Sequence, residues 1–124
     1  MVQTNVQGFS GDVQIRGTTF IKANSNTNNI AIGTEAGETS QGTNTVAVGY
    51  QAGETTQGSD GIGVGRKAGH TSQGTQSIAI GNQAGETTQG TQAVAVGHRA
   101  GETSQHDNSI VLNASGSALN TAGA

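Results

Sequence analysis

Residues 30–45 read IAIGTEAGETSQGTNT. The next four stretches, VAVGYQAGETTQGSDG (46–61), IGVGRKAGHTSQGTQS (62–77), IAIGNQAGETTQGTQA (78–93) and VAVGHRAGETSQHDNS (94–109), repeat that pattern in phase. A sixth unit opens as IVLNAS at Ile110 and then departs from the pattern. Self-similarity at a fixed period means stacked units that bury their apolar faces against their neighbours, so each unit is expected to be one coil. Gly recurring at the fourth, eighth and thirteenth places leaves room for two short strands and two turns, and none for a helix. The expected fold is therefore all-β, a parallel β-roll or β-solenoid of five 16-residue coils.

The first strand carries two aliphatic columns. Ile30, Val46, Ile62, Ile78, Val94 and Ile110 form one, and Ile32, Val48, Val64, Ile80, Val96 and Leu112 lie two places on. Alternation puts both columns on one face of the strand. Between them Ala31, Ala47, Gly63, Ala79 and Ala95 leave the opposite face almost without side chains, so another layer can approach closely. The Ala-Gly pairs beginning at Ala36, Ala52, Ala68, Ala84 and Ala100 suit a tight corner. A second strand is expected in the E-T-S/T-Q run, with Thr39, Thr55, Thr71, Thr87 and Thr103 in one column and Gln41, Gln57, Gln73, Gln89 and Gln105 in another. Such columns can hydrogen-bond up the ladder, and the Glu-Thr-Gln wall is expected to face water or a host surface.

Composition sets the energetics. The 124 residues include 21 Gly, no Cys, Pro or Trp, and only Phe9, Phe20 and Tyr50 as aromatics, which cannot fill an ordinary globular core. Each coil offers two branched aliphatics at roughly 1.5–3 kcal/mol apiece, against more than about 1 kcal/mol for ordering each residue. A lone chain is therefore expected to be marginal. If the Ile and Val columns lie outside a thin Ala-lined roll, they form a continuous apolar stripe that three chains can bury together. The twelve residues of the two columns are thus the candidate trimer interface or core.

Several function classes find no support in the residues. A net charge of -3 with Arg16, Lys22, Arg66, Lys67 and Arg99 as the only basic residues gives no footprint for nucleic acid. No apolar stretch approaches the ~20 residues of a membrane helix, so no membrane insertion is expected. MVQTNVQGFS lacks the basic and apolar regions of a signal peptide. His70, His98 and His106 occupy different places in the repeat, so no metal cluster is expected within one chain. Glu38, Glu54, Glu86 and Glu102 form an acidic column read as a solubility stripe, with His70 relieving like-charge repulsion. No Ser or Thr has a His and an acid in a local pattern that would activate it, and the recurring glycines form turns rather than a phosphate loop. The expectation is a non-enzyme without cofactors. Asn113-Ala114-Ser115 matches a glycosylation acceptor and is read as turn sequence.

The units NNIAIGTEAG, NTVAVGYQAG and QSIAIGNQAG resemble the SVAIG-type repeats in the head domains of trimeric autotransporter adhesins. Similar repeats with the wording AVGYQAG occur in phage tail fibres and in surface proteins of large DNA viruses that mature through a C-terminal intramolecular chaperone, and this chain resembles that second group more. GDVQIRGTTFIKAN is similar to the short β segments that precede such repeats, and DNSIVLNASGSALNTAGA to the stretch that leads into the chaperone. The resemblance implies a left-handed roll, a homotrimer, a virion-surface or extracellular location, and a role as a rigid fibre spacer, with a host-cell glycan or receptor as a further partner. One departure stands out: where the adhesin heads often carry Ser or Asn before the strand, this chain has Asn29, Thr45, Gly61, Ser77 and Ala93. The resulting organisation is a β-rich lead-in (1–29), the roll (30–109) and a closing segment (110–124) whose apolar start caps the last coil. The rival reading is an ice-binding or glycan-binding β-solenoid. Against it, an outward Thr column would be paired with the bulky Gln41 column, or the outward row would be the mixed Ser40, Thr56, Ser72, Thr88 and Ser104.

Overall fold

A computed structural model describes the backbone of residues 13–15 and 18–24, and residues 28–121 in full. Residues 1–12, 16–17 and 25–27 of the lead-in and 122–124 of the closing segment lie outside the described residues. Among the described residues every element is a strand: β1 (Val13–Ile15), β2 (Thr18–Asn24), β3 (Asn29–Ile32), β4 (Val46–Val48), β5 (Thr56–Gln57), β6 (Ile62–Val64), β7 (Ser72–Gln73), β8 (Ile78–Ile80), β9 (Thr88–Gln89), β10 (Val94–Gly97) and β11 (Ile110–Asn113). One sheet runs β1-β2-β3-β4-β6-β8-β10-β11 and a second runs β5-β7-β9. From β3 onward the pairing in the first sheet is parallel with a shift of one repeat, so Ile30, Val46, Ile62, Ile78, Val94 and Ile110 stack in register. In the second sheet Gln57, Gln73 and Gln89 stack likewise, and bridges at Gln41 and Gln105 extend the column through all five coils. The molecule is a parallel β-solenoid with one coil per 16-residue repeat.

The corners explain how so short a repeat closes. Glu35, Gln51, Lys67, Gln83 and Arg99, at the sixth place, have φ of 55–59°, and Asn44, Asp60, Gln76, Gln92 and Asn108, at the fifteenth, have φ of 55–58°. A left-handed conformation costs a non-Gly residue roughly 1–2 kcal/mol. Hydrogen bonds to the preceding coil hold these corners: Lys67 N–H donates to Tyr50 O at 2.8 Å, and Gln76 N–H to Ser59 O at 2.8 Å. Gly65 N–H likewise donates back to Val48 O at 2.7 Å, whereas other N–H groups point to the following coil, as when Gly53 N–H donates to Ala68 O at 2.9 Å. Strands and corners alike therefore satisfy their backbone groups along the axis, as buried backbone requires.

The interior is built from Ala and Gln. Ala47, Ala79 and Ala95 from the first strand and Ala52, Ala68, Ala84 and Ala100 from the corner are buried, together with Thr45, Ser77 and Ala93 at the sixteenth place. Gln57, Gln73, Gln89 and Gln105 are buried with them, Gln57 being 1% exposed. The expectation that Gln faces water is thus corrected. The second strand is only two residues long, and its alternation turns Ser/Thr outward and Gln inward. Nor does the amide chiefly bond up its own ladder. Gln57 Nε2 crosses the roll to Val46 O at 2.9 Å and Gly61 O at 3.0 Å, and Gln73 Nε2 reaches Ile62 O at 2.7 Å and Ser77 O at 3.3 Å. Gln89 and Gln105 repeat the bridge, with one contact along the column from Gln89 Nε2 to Gln105 Oε1 at 3.3 Å. A cross-section lined by Ala is too thin for Leu or Phe, whereas a Gln laid across it fills the gap and serves two carbonyls.

The first coil deviates: Ser40 has φ of 54°, and Gln41 Nε2 donates instead to Thr39 O at 2.9 Å and Gly53 O at 2.6 Å. On this side β2 runs antiparallel along β3, pairing Ile21 with Ile32 and Ala23 with Ile30, which covers the edge of the first sheet.

Candidate functional site

With Ala and Gln inside, the Ile and Val columns occupy the outer face of the first sheet. Ile30 is 50% exposed, Ile110 71% and Leu112 68%, and Ile80 is exposed too. Ile32, Val46, Val48, Ile62, Val64, Ile78, Val94 and Val96 are half-buried, sheltered by the stacked neighbours above and below. All twelve candidate residues therefore lie side by side on one surface, and none of them is in the core of the chain. Aligned in register from Ile30 to Leu112, they make a continuous apolar stripe down the roll. Scattered exposed aliphatics are ordinary, whereas a contiguous strip of them is a candidate interaction surface.

The polar sides are organised differently. The carboxylates of the acidic column are partnered: Arg99 Nε donates to Glu102 Oε2 at 2.8 Å, Lys67 Nζ lies 3.5 Å from Glu86 Oε1, and His70 Nε2 lies 2.9 Å from Glu54 Oε2. Half-buried surface pairs of this kind are worth on the order of 1 kcal/mol each. Among the described residues no three His, Cys, Asp or Glu side chains converge as a metal site. The second sheet presents Ser40, Thr56, Ser72, Thr88 and Ser104 outward, all exposed.

One constellation went unread in the sequence. His70 Nδ1 stands 3.0 Å from Thr71 Oγ1 while its Nε2 meets Glu54, so a carboxylate, an imidazole and a hydroxyl lie in line. The spacing of 16 between Glu54 and His70, both at the ninth place, was the available sign. The order matches an activated nucleophile, but acyl transfer also needs donors aimed at the developing oxyanion. Thr71 N–H is given to Glu86 O at 2.9 Å and Ser72 N–H to Thr87 O at 3.1 Å, so the adjacent amides serve the next coil. Asn113 is buried, and its Nδ2 donates to His98 O at 2.8 Å and to Ser117 O, which withholds the acceptor nitrogen of the Asn-Ala-Ser sequence in the folded roll.

No family model matches the chain, and neither a curated protein nor a solved structure matches it.

Proposed function

We propose that the chain is a structural segment of a trimeric viral or phage fibre or surface spike, a rigid spacer in which three left-handed rolls join through their Ile and Val faces. The observation that carries this reading is the stripe itself: a roll whose interior is Ala and Gln places its largest aliphatics outside, in unbroken register over the whole stack. Burying that stripe between copies supplies the apolar contact that the thin interior lacks. Threefold symmetry, handedness and the virion-surface or extracellular location rest on the resemblance of the repeats. A host glycan or receptor would meet the polar walls.

Light scattering coupled to size exclusion tests the association. The wild-type chain is expected at three times its 12.3 kDa mass, and Val64→Glu, which sets a charge in the middle of the stripe, at one chain with a lowered melting temperature. A wild-type mass of one chain at every concentration would contradict the trimer. It would turn attention to the second reading, ice or glycan binding by the hydroxyl wall, which the inward turn of the Gln column has cleared of its bulkiest side chains.

A further inference from the structure

The end of the roll carries a device that the repeats themselves do not show. Inside the stack, three backbone donors of each coil meet carbonyls of the next. Gly85 N–H, at the eighth place, donates to Ala100 O at 2.8 Å; Thr87 N–H, at the tenth, to Glu102 O at 2.8 Å; and Gly90 N–H, at the thirteenth, to Gln105 O at 2.9 Å. In return, the sixth-place N–H of the next coil donates to the fifth-place carbonyl, as Arg99 N–H does to Asn82 O at 2.9 Å. The fifth coil has the same groups to satisfy, and no regular sixth coil follows.

We infer that residues 113–121 stop the roll by imitating a sixth coil, with side chains standing where a coil would present backbone. Gly101 N–H donates to Leu119 O at 2.6 Å and Leu119 N–H to Arg99 O at 3.2 Å, so backbone still serves on both sides of Ala100. Thr103 N–H donates to Asn120 Oδ1 at 3.0 Å, in place of a ninth-place carbonyl. His106 N–H donates to Thr121 Oγ1 at 2.9 Å, in place of a twelfth-place carbonyl. His98 O accepts Asn113 Nδ2 at 2.8 Å, in place of a sixth-place N–H, and Ser115 steadies that amide by donating from N at 2.9 Å and from Oγ at 2.7 Å to Asn113 Oδ1. The bridge Ala100↔Leu119 spans 19 residues rather than 16, so the strap leaves the repeat spacing while keeping its hydrogen-bond positions.

A second feature makes the stop definite. At the thirteenth place an added Cβ would lie 2.5 Å from Thr75 N at Gly58 and 2.5 Å from Asp107 N at Gly90, because the next coil's backbone passes there. In the fifth coil that place is His106, whose side chain a further coil could not pass. Strap and histidine together close this end of the second sheet against coil-on-coil pairing, the liability of any solenoid end. The stop acts within one chain and holds whether or not the roll is a spacer.

Amide hydrogen exchange on the whole chain tests it, because each side chain has a defined polarity. Asn120→Asp and Thr121→Ser keep the acceptor, and exchange at Thr103 and His106 is expected to match wild type. Asn120→Leu and Thr121→Val remove it, and exchange at Thr103 and His106 respectively is expected to rise tenfold or more, while Gly37, Gly53 and Gly69 stay protected. Asn113→Asp keeps the shape but loses the donor, and is expected to loosen the strap at Gly101. Exchange at wild-type rates in every variant, Thr103 as unprotected in Asn120→Asp as in Asn120→Leu, or a loss spread evenly over the five coils would each overturn the inference.

Discussion

Gly65→Ala is expected to unfold most of the roll at temperatures where the wild type is folded. Gly65 has φ of 127°, a region that is essentially closed to side-chain-bearing residues, and an added Cβ would stand 2.6 Å from Gly81 O and 2.7 Å from Gly81 C. The obstacle is backbone, so it cannot rotate away. Gly81 is in turn stacked closely on the next coil, Gly97 O lying 2.6 Å from where a Cβ of Gly81 would stand. A backbone outlier costs about 1–3 kcal/mol, and forcing two coils apart adds the loss of their axial hydrogen bonds at about 1 kcal/mol each. The sum is a large part of the roughly 5–15 kcal/mol that holds a domain together. Gly116→Ala is the control: its φ is 79° and nothing lies within 4 Å of an added Cβ, so only the conformational cost of about 1 kcal/mol remains. Thermal unfolding followed by circular dichroism checks both. Equal melting of Gly65→Ala and wild type would mean that the coils do not stack at this corner.

The second large effect is expected from Gln73→Glu, a change of nearly constant shape. Gln73 is 3% exposed, and its amide nitrogen serves Ile62 O and Ser77 O. An ionised Glu there gives two carbonyl oxygens a carboxylate in place of a donor and buries an unpaired charge, a loss of about 3–5 kcal/mol. Burial and the facing carbonyls favour the protonated acid, so the folded-state pKa of the introduced Glu rises above its ordinary ~4.3. The sign follows from that. The variant is expected to be nearest to wild type below about pH 4.3, where the acid is protonated folded and unfolded alike, and to lose stability as pH rises from there through the raised folded value. Urea unfolding of both chains at acid and alkaline pH gives the difference. A variant as stable as wild type at an alkaline pH of about 8, well above the ordinary carboxylate range, would place Gln73 in water.

Much of this architecture is legible in the residues, and what is not has a physical reason. The period of 16 fixes the number of coils, the register of Ile30 on Val46 and the corner positions, because each depends on local spacing. The alternation Ile-Ala-Ile assigns two faces to the first strand. It does not say which face is inside, since aliphatics outside and methyls inside is the reverse of an ordinary core. That choice is made by the second strand, where Gln recurs at the twelfth place in all five coils while its neighbour drifts between Ser and Thr. A side chain that must span a fixed gap and meet two carbonyls accounts for that strictness. His106 in a column otherwise made of Gly marks the end of the stack in the same way. The polar stop at Asn113, Asn120 and Thr121 was not legible, because its contacts depend on a strap that abandons the period, and the meeting of Glu54, His70 and Thr71 needed the stacking geometry.

The inverted cross-section, Gln within and Ile and Val without, is tested most directly by side-chain amide exchange measured by NMR. The account predicts that the Nε2 protons of Gln57, Gln73, Gln89 and Gln105 exchange slowly with solvent, while those of Gln76 and Gln92, whose one mutual hydrogen bond is exposed, exchange far faster. Fast exchange at all six would contradict it, placing the Gln column on the surface and the aliphatic columns inside.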